Sequence, residues 1–292
     1  MATPELAFIG LGGMGTAMAL RLIDRGFCLS VHNRTEARTA PLRAAGARVA
    51  STAAGAAAGA KIVIVSLSDE AAVEEIVFGA LGLPAGTILI DTSTVSPGYA
   101  RQAAQRLAGR GVRRVETCIL GNPPLARAGK ARILTAGSAD DLEEVRPVLK
   151  ALGSQVLFVG PAGLAATMKL VFNMLLGAQV AALAEAVNYG ERAGLDRDTL
   201  LSAITQSGFS SMVMSFRAEI MRTRSYEPPA FRARLMGKDL RLATEDAAAL
   251  GAAIPVLDLV HELFAGVVAA GDGDKDAAVV IEHPPPAARP GG

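Results

Sequence analysis

The chain has 292 residues, long enough for one large domain or two of medium size, and two suit the length better. Apolar residues make up 51% of it and aromatic residues only 4%, with no Trp, so the core must come from Ala, Leu and Val, which favours helix-rich packing. Its 29 basic and 28 acidic residues are spread along the chain to a net charge of +1 with no basic run, which argues against nucleic acid as a partner.

The two cysteines, Cys28 and Cys118, are far apart and fit neither a disulfide framework nor a paired metal-ligand spacing, which points to a reducing, cytoplasmic compartment. The opening ATPELAFIGLGGMG lacks the basic start and unbroken apolar stretch of a secretory signal.

From residue 5 to about 160, short β-branched runs alternate with Ala-rich stretches, the pattern of βαβ units in a Rossmann-type, doubly wound parallel α/β domain. Strands are expected at Leu6–Ile9, Cys28–His32, Ile62–Ser66, Ile88–Asp91, Arg114–Thr117, Arg132–Thr135 and Val156–Val159. Helices are expected at Met14–Asp24, Glu70–Val77, Tyr99–Leu107 and Asp140–Leu149, the second and fourth entered through acids that suit a helix N-terminus.

The first strand runs directly into Gly10-Leu11-Gly12-Gly13-Met14-Gly15, which opens a helix. In that setting Gly10 permits a tight turn, Gly12 lets the backbone approach a pyrophosphate, and Gly15 lets the helix pack closely on the strand. The helix N-terminus offers N–H groups and partial positive charge to the phosphates. A glycine-rich turn without a ligand is the bland alternative.

The second strand ends Val31-His32-Asn33-Arg34-Thr35, where an NAD site usually carries an acid for the ribose hydroxyls. Neutral Asn33 followed by Arg34 suits a 2′-phosphate, with Thr35 adding a hydroxyl, so the expected cofactor is NADPH; Arg34 as a solvated charge is the alternative. Two later strand ends, Ser66-Leu67-Ser68-Asp69 and Asp91-Thr92-Ser93-Thr94, should line the same crevice. Leu67, Ser68 and Thr94 are the expected contacts there, although Ser and Thr at such places also serve as helix N-caps.

The alternation stops at Gly160-Pro161-Ala162-Gly163, and the remainder of the chain reads helical. The chain therefore divides into a dinucleotide-binding domain over 1–160, an all-helical domain over 161–283 and a disordered tail over 284–292, where HPPPAARPGG cannot hold a helix. Residues 164–192 fit one helix of roughly 45 Å, apolar on nearly all sides. Such a helix must be buried, and a small helical domain can hardly enclose it, so a second subunit is expected to cover it, giving a homodimer or a tetramer. Lys169, Asn173, Gln179 and Glu185 interrupt it too often for a lipid-facing span.

GLGGMG, NRT and DTSTV, then Lys169 in TMKLVFNMLLG and Lys238-Asp239 in FRARLMGKDLRLA, resemble the β-hydroxyacid dehydrogenases that include 3-hydroxyisobutyrate dehydrogenase. Within that family the chain looks closest to the NADPH-dependent glyoxylate and succinic semialdehyde reductases, and the likeness runs from residue 5 to about 281 with the motifs in order. The resemblance implies a Rossmann domain, a long interdomain helix and an all-helical second domain that dimerises.

Carbonyl reduction needs hydride at carbon and a proton for the oxygen. The histidines, His32, His261 and His283, lie on a strand end, a distal helical stretch and the tail, and suggest neither a metal cluster nor a Ser-His-Asp arrangement. Lys169 stands out early in an apolar run, with Asn173 four residues on along the same helix face. Burial would bring a lysine from about 10.4 toward the working pH, where acid catalysis is effective; a stem that packs while its head reaches solvent fits the residues equally well. The resemblance implies that Lys169 is the catalytic acid and that Asn173 assists. It also implies that Lys238 reaches the nicotinamide end of the cofactor and that Asp239 faces the pocket, where the residues alone suggest a surface ion pair.

One departure concerns substrate. Where the family reads Asp-Ala-Pro-Val-Ser-Gly-Gly or close to it, this chain reads Glu116-Thr117-Cys118-Ile119-Leu120-Gly121-Asn122, with Leu120 for the serine. Carboxylate binding would then rest on Gly121, Asn122 and Lys169, and the substrate could be larger, less acidic or not a carboxylate. Cys118 reads as a small packing residue rather than a nucleophile. Met212, Met214, Phe216, Phe209 and Phe231 read as an apolar pocket wall or as plain core. Three functions fit these residues: an NADPH-dependent reductase of a small aldehyde or keto acid, an imine reductase on the same architecture, and a dinucleotide-binding module without chemistry.

Overall fold

A computed structural model describes residues 6–285; the last residues of the expected tail, 286–292, lie outside them. The described residues divide into two compact units, 6–169 and 170–285.

The first unit is a sheet of eight strands, β1 (Leu6–Ile9), β2 (Leu29–His32), β3 (Arg48–Val49), β4 (Ile62–Val65), β5 (Ile88–Asp91), β6 (Arg113–Leu120), β7 (Ala131–Ala136) and β8 (Gly153–Phe158). The α-helices between them are α1 (Gly13–Asp24), α2 (Ala40–Ala44), α3 (Ala53–Ala57), α4 (Glu70–Val73), which continues as a π-helix over Glu74–Ala80, α5 (Pro97–Ala108), α6 (Pro123–Arg127) and α7 (Ala139–Leu152). Strand order is β3-β2-β1-β4-β5-β6-β7-β8. Along β1, Leu6 and Phe8 join a core with Met18 and Leu22 of α1 and Val145 and Leu149 of α7, while Ala7 and Ile9 join another with Ala100 and Leu107 of α5. Strands apolar on both faces are what a covered parallel sheet requires.

Two details differ from the expectation. The sheet is parallel except between β6 and β7, which run antiparallel, because the short Gly121–Lys130 link, holding only α6, cannot make the longer crossover that parallel neighbours need. The edge strand β3, with just Arg48 and Val49, is too brief to leave a periodic signal.

Helix α8 (Leu164–Arg192) is a single 29-residue helix that begins in the first unit and continues into the second. The contacts part within it, between Lys169 and Leu170. The reason is that β6 holds its first turn: Glu116 accepts the backbone N–H groups of Gly163 and Ala166, each at 2.6 Å.

The second unit is helical, with α9 (Arg197–Gln206), α10 (Met212–Thr223), α11 (Ala233–Leu250), α12 (Pro255–Ala269) and a 3₁₀ turn at Ala277–Glu282. Val180, Leu183 and Val187 of α8 pack with Met221, Met236, Leu240, Phe264 and Val279 to form its core. Beside that core the buried Arg217 bonds Asp276, whose other carboxylate oxygen accepts the N–H groups of Ala230 and Phe231 at 2.9 and 3.1 Å.

Candidate functional site

The glycine turn is built by sterics. Gly10 has a φ of +93°, and a Cβ there would lie 2.3 Å from the Ser66 carbonyl oxygen; a Cβ on Gly15 would lie 2.0 Å from the Gly10 oxygen. Gly12 is different, since nothing lies within 4 Å of where its Cβ would be. The first turn of α1 has no side-chain cap and no acidic residue. Open space over Gly12 beside uncapped N–H groups fits a dinucleotide pyrophosphate.

Asn33 holds this turn in place. Its Oδ1 accepts from the Leu11 N–H at 2.8 Å and its Nδ2 donates to the Thr35 oxygen at 2.9 Å, so its amide braces the loop. Arg34 and Thr35, next along the chain, are exposed at the end of β2.

The C-terminal ends of β1, β4 and β5 meet at the same edge. Ser66 backs onto Gly10, and the Leu67 N–H donates to Ser93 Oγ at 3.1 Å. The capping alternative fails for both expected contacts here: Asp69, not Ser68, caps α4 by accepting from Ala72, and Ser96, not Thr94, caps α5 by accepting from Tyr99.

Loop β6–α6 closes on the turn from the other side, with Pro123 3.4 Å from the Cβ position of Gly13. Asn122 caps α6, its Oδ1 accepting from Leu125 at 3.0 Å, so its amide NH₂ is what could meet a substrate. Leu120 packs with Cys118, Leu134, Ala136, Ala165 and Met168. Burial pushes the Cys118 thiol up to about 12, against the opposing pull of Lys169, which makes it a packing residue with little thiolate.

Lys169 is half-buried, and its Nζ donates to the Ile119 oxygen at 3.1 Å. From Pro123, beside Gly13, the chain runs back through Asn122, Gly121 and Leu120 to Ile119, whose oxygen accepts from the Lys169 ammonium.

In the second unit, Asn173, Lys238 and Asp239 form one cluster. Asn173 Nδ2 donates to Asp239 Oδ2 at 2.5 Å, and Lys238 Nζ lies 3.1 Å from Asp239 Oδ1. The side chains of Lys238 and Asp239 are 17% and 3% exposed, so this is no surface ion pair. The aromatic and methionine group divides: Met214 and Phe231 pack on the core, whereas Phe209, Met212 and Phe216 are exposed.

Sequence reasoning missed the roles of Ser93, Glu116 and the Ile119 carbonyl. Glu116 left one signal, an acid two residues from Arg114 on one strand, where the pleat turns both to one face. Ile119 left none, because its contribution is a backbone oxygen.

Residues 5–160 match the model described as the NAD binding domain of 6-phosphogluconate dehydrogenase. Residues 163–283 match the one described as NAD-binding of NADP-dependent 3-hydroxyisobutyrate dehydrogenase. The chain belongs to the β-hydroxyacid dehydrogenase family. It is a nicotinamide-dinucleotide oxidoreductase acting on CH–OH or C=O groups. It is 33% identical to glyoxylate/succinic semialdehyde reductase 1 of Arabidopsis thaliana, over 95% of this chain and 97% of the relative. Among solved structures it is similar to a 3-hydroxyisobutyrate dehydrogenase from Salmonella typhimurium, with a TM-score of 0.87 and 25% identity over 95% of this chain and 99% of that one. A reductive aminase from Aspergillus terreus in complex with NADPH and ethyl levulinate matches at a TM-score of 0.66 and 27% identity, over 97% of this chain and 99% of that one.

Proposed function

We propose that the protein is a cytoplasmic, homodimeric, NADPH-dependent reductase of small aldehydes and keto acids. Glyoxylate and succinic semialdehyde serve as model substrates, β-hydroxyacid oxidation is the reverse reaction, and Lys169 is the proton donor. The observation that carries this reading is the Lys169 ammonium, held 3.1 Å from the Ile119 oxygen at the end of the strand whose loop touches the glycine turn.

When bound, the dinucleotide supplies the hydride for the carbonyl carbon or accepts it in the reverse direction. Gly12 and the first turn of α1 receive the pyrophosphate, and Arg34 with Thr35 receives the 2′-phosphate. Leu67, Ser68 and Thr94 border the same crevice. Lys169 donates the Nζ proton to the substrate oxygen as that oxygen becomes negative, and takes it back in oxidation. Ile119 orients the ammonium by accepting one of its N–H groups. Gly121 and Asn122 offer donors to the rest of the substrate, and Leu120 gives it an apolar wall. In the helical unit we assign Asn173 to holding the Asp239 carboxylate, Lys238 to the cofactor, and Phe231 and Asp239 to the substrate.

Helix α8 is long and apolar enough to cross a membrane, with a mean hydropathy of 1.7 in its best window, yet Glu116 binds its first turn to a sheet; we read it as a core helix. C=N reduction is the second reading, favoured by the likeness to the reductive aminase, and a proton donor at Lys169 favours C=O.

Lys169→Ala should lower kcat for the carbonyl substrate by roughly 10²–10⁴-fold. Steady-state assays over a panel of aldehydes, keto acids and cyclic imines, followed at the nicotinamide absorbance, test this. Unchanged turnover in the variant would exclude the role, and turnover of the imines alone would transfer the assignment to C=N reduction.

A further inference from the structure

Three charged side chains lie almost wholly inside the first unit. Arg114, Asp91 and Glu116 are 1%, 1% and 2% exposed. Arg114 donates from Nε and NH2 to Asp91 Oδ2 at 3.2 and 2.8 Å, and from NH1 to the Ala100 oxygen at 3.2 Å and to Glu116 Oε2 at 3.5 Å. Asp91 Oδ1 in turn accepts the Ser93 N–H at 3.0 Å, and Ser93 Oγ accepts from Leu67 at the cofactor edge.

As a stabilising device such a cluster is poor, because well-packed apolar residues of similar volume do as well or better. What an apolar side chain could not do is accept two hydrogen bonds. Glu116 takes the N–H groups of Gly163 and Ala166, and Ala166 lies three residues before Lys169, nearly one helical turn. Three residues beyond Glu116 on the same strand, Ile119 supplies the oxygen that receives Lys169 Nζ. Strand β6 therefore grips α8 twice, once by its backbone and once by the ammonium.

We propose that Glu116, backed by Arg114 and Asp91, is a positioning residue for the reaction: its double hydrogen bond to the first turn of α8 sets where the Lys169 ammonium stands. The proposal rests on the reading of Lys169 as the proton donor.

The test makes Glu116→Gln and Glu116→Asp in the wild-type chain and in the Lys169→Ala background. It measures kcat, carbonyl KM and NADPH Kd, with nicotinamide fluorescence counting binding-competent sites. In the wild-type chain Glu116→Gln, which turns an N–H toward a backbone N–H, should lower kcat per binding site by about 10²-fold, the cost of misplacing a reacting group by about 1 Å, while NADPH Kd stays within about twofold. Glu116→Asp keeps the charge and should recover part of that loss. In the Lys169→Ala background neither change should lower kcat further, because the group being positioned is gone.

Equal losses in the two backgrounds, or full kcat per binding site in Glu116→Gln, would overturn the positioning role and leave that of Lys169 standing. Unchanged turnover on Lys169→Ala alone sinks the reading of Lys169 instead. If Glu116→Gln does not fold, Glu116→Asp decides by the same comparison.

Discussion

Arg34 and Leu120 are the residues through which this chain would choose its cofactor and its substrate. Asn33 spends its amide on the glycine turn, so on the proposed reading discrimination between the two dinucleotides would fall to the exposed guanidinium after it. Arg34→Ala should raise KM for NADPH roughly 10- to 100-fold, the worth of one charge-assisted hydrogen bond, and leave KM for NADH little changed. A wild-type preference for NADH in kcat/KM would overturn the assignment. Leu120 lines an apolar cluster, so a carboxylate beside it gains no donor from that side chain. Leu120→Ser should lower KM for glyoxylate about tenfold while leaving an uncharged aldehyde unaffected, as expected of a new hydrogen bond to a charged group. An equal change for both substrates would show that Leu120 acts only through packing.

At the level of elements, the proposed cofactor role would make the turn between β1 and α1 separate folding from binding within one motif. Gly10→Ala places a side chain at a φ of +93° and against the Ser66 oxygen, at a cost of at least about 1–3 kcal/mol of backbone strain. Gly12→Ala meets no atom and an ordinary backbone. Thermal unfolding should therefore show a clear fall in Tm for Gly10→Ala and almost none for Gly12→Ala, while NADPH titration of the latter shows weakened binding. Intact NADPH affinity in Gly12→Ala would remove the pyrophosphate from this turn. The motif itself was legible because strand, glycines and helix follow one another directly. The antiparallel β6–β7 pair was not, since periodicity reports which face of a strand is apolar and is silent on its direction.

On the scale of the whole molecule, α8 leaves Val171, Phe172 and Leu175 between 44% and 56% exposed in the single chain, and α12 leaves Val256 and Leu259 at 61% and 65%. Apolar surface of this extent on helices is what a partner subunit would cover. Sedimentation at micromolar concentration should give the mass of a dimer or larger, and Leu175→Glu should shift it toward monomer. A plain monomer in the wild type would remove the homodimer.

The amino-acid order alone determined the Rossmann alternation, the glycine turn, the single long helix and the isolation of Lys169 within it, because each is written in neighbouring residues as spacing or polarity. Only the tertiary structure decided that Asn33 braces the turn, that Asn173 bonds Asp239, and that Glu116 and Ile119 hold α8. Those contacts join residues 22 to 66 positions apart, and some of them end on backbone atoms. Side-chain identity carries no record of a backbone partner, since every residue presents the same carbonyl, and every one but proline the same N–H, until the fold brings a donor or an acceptor to it.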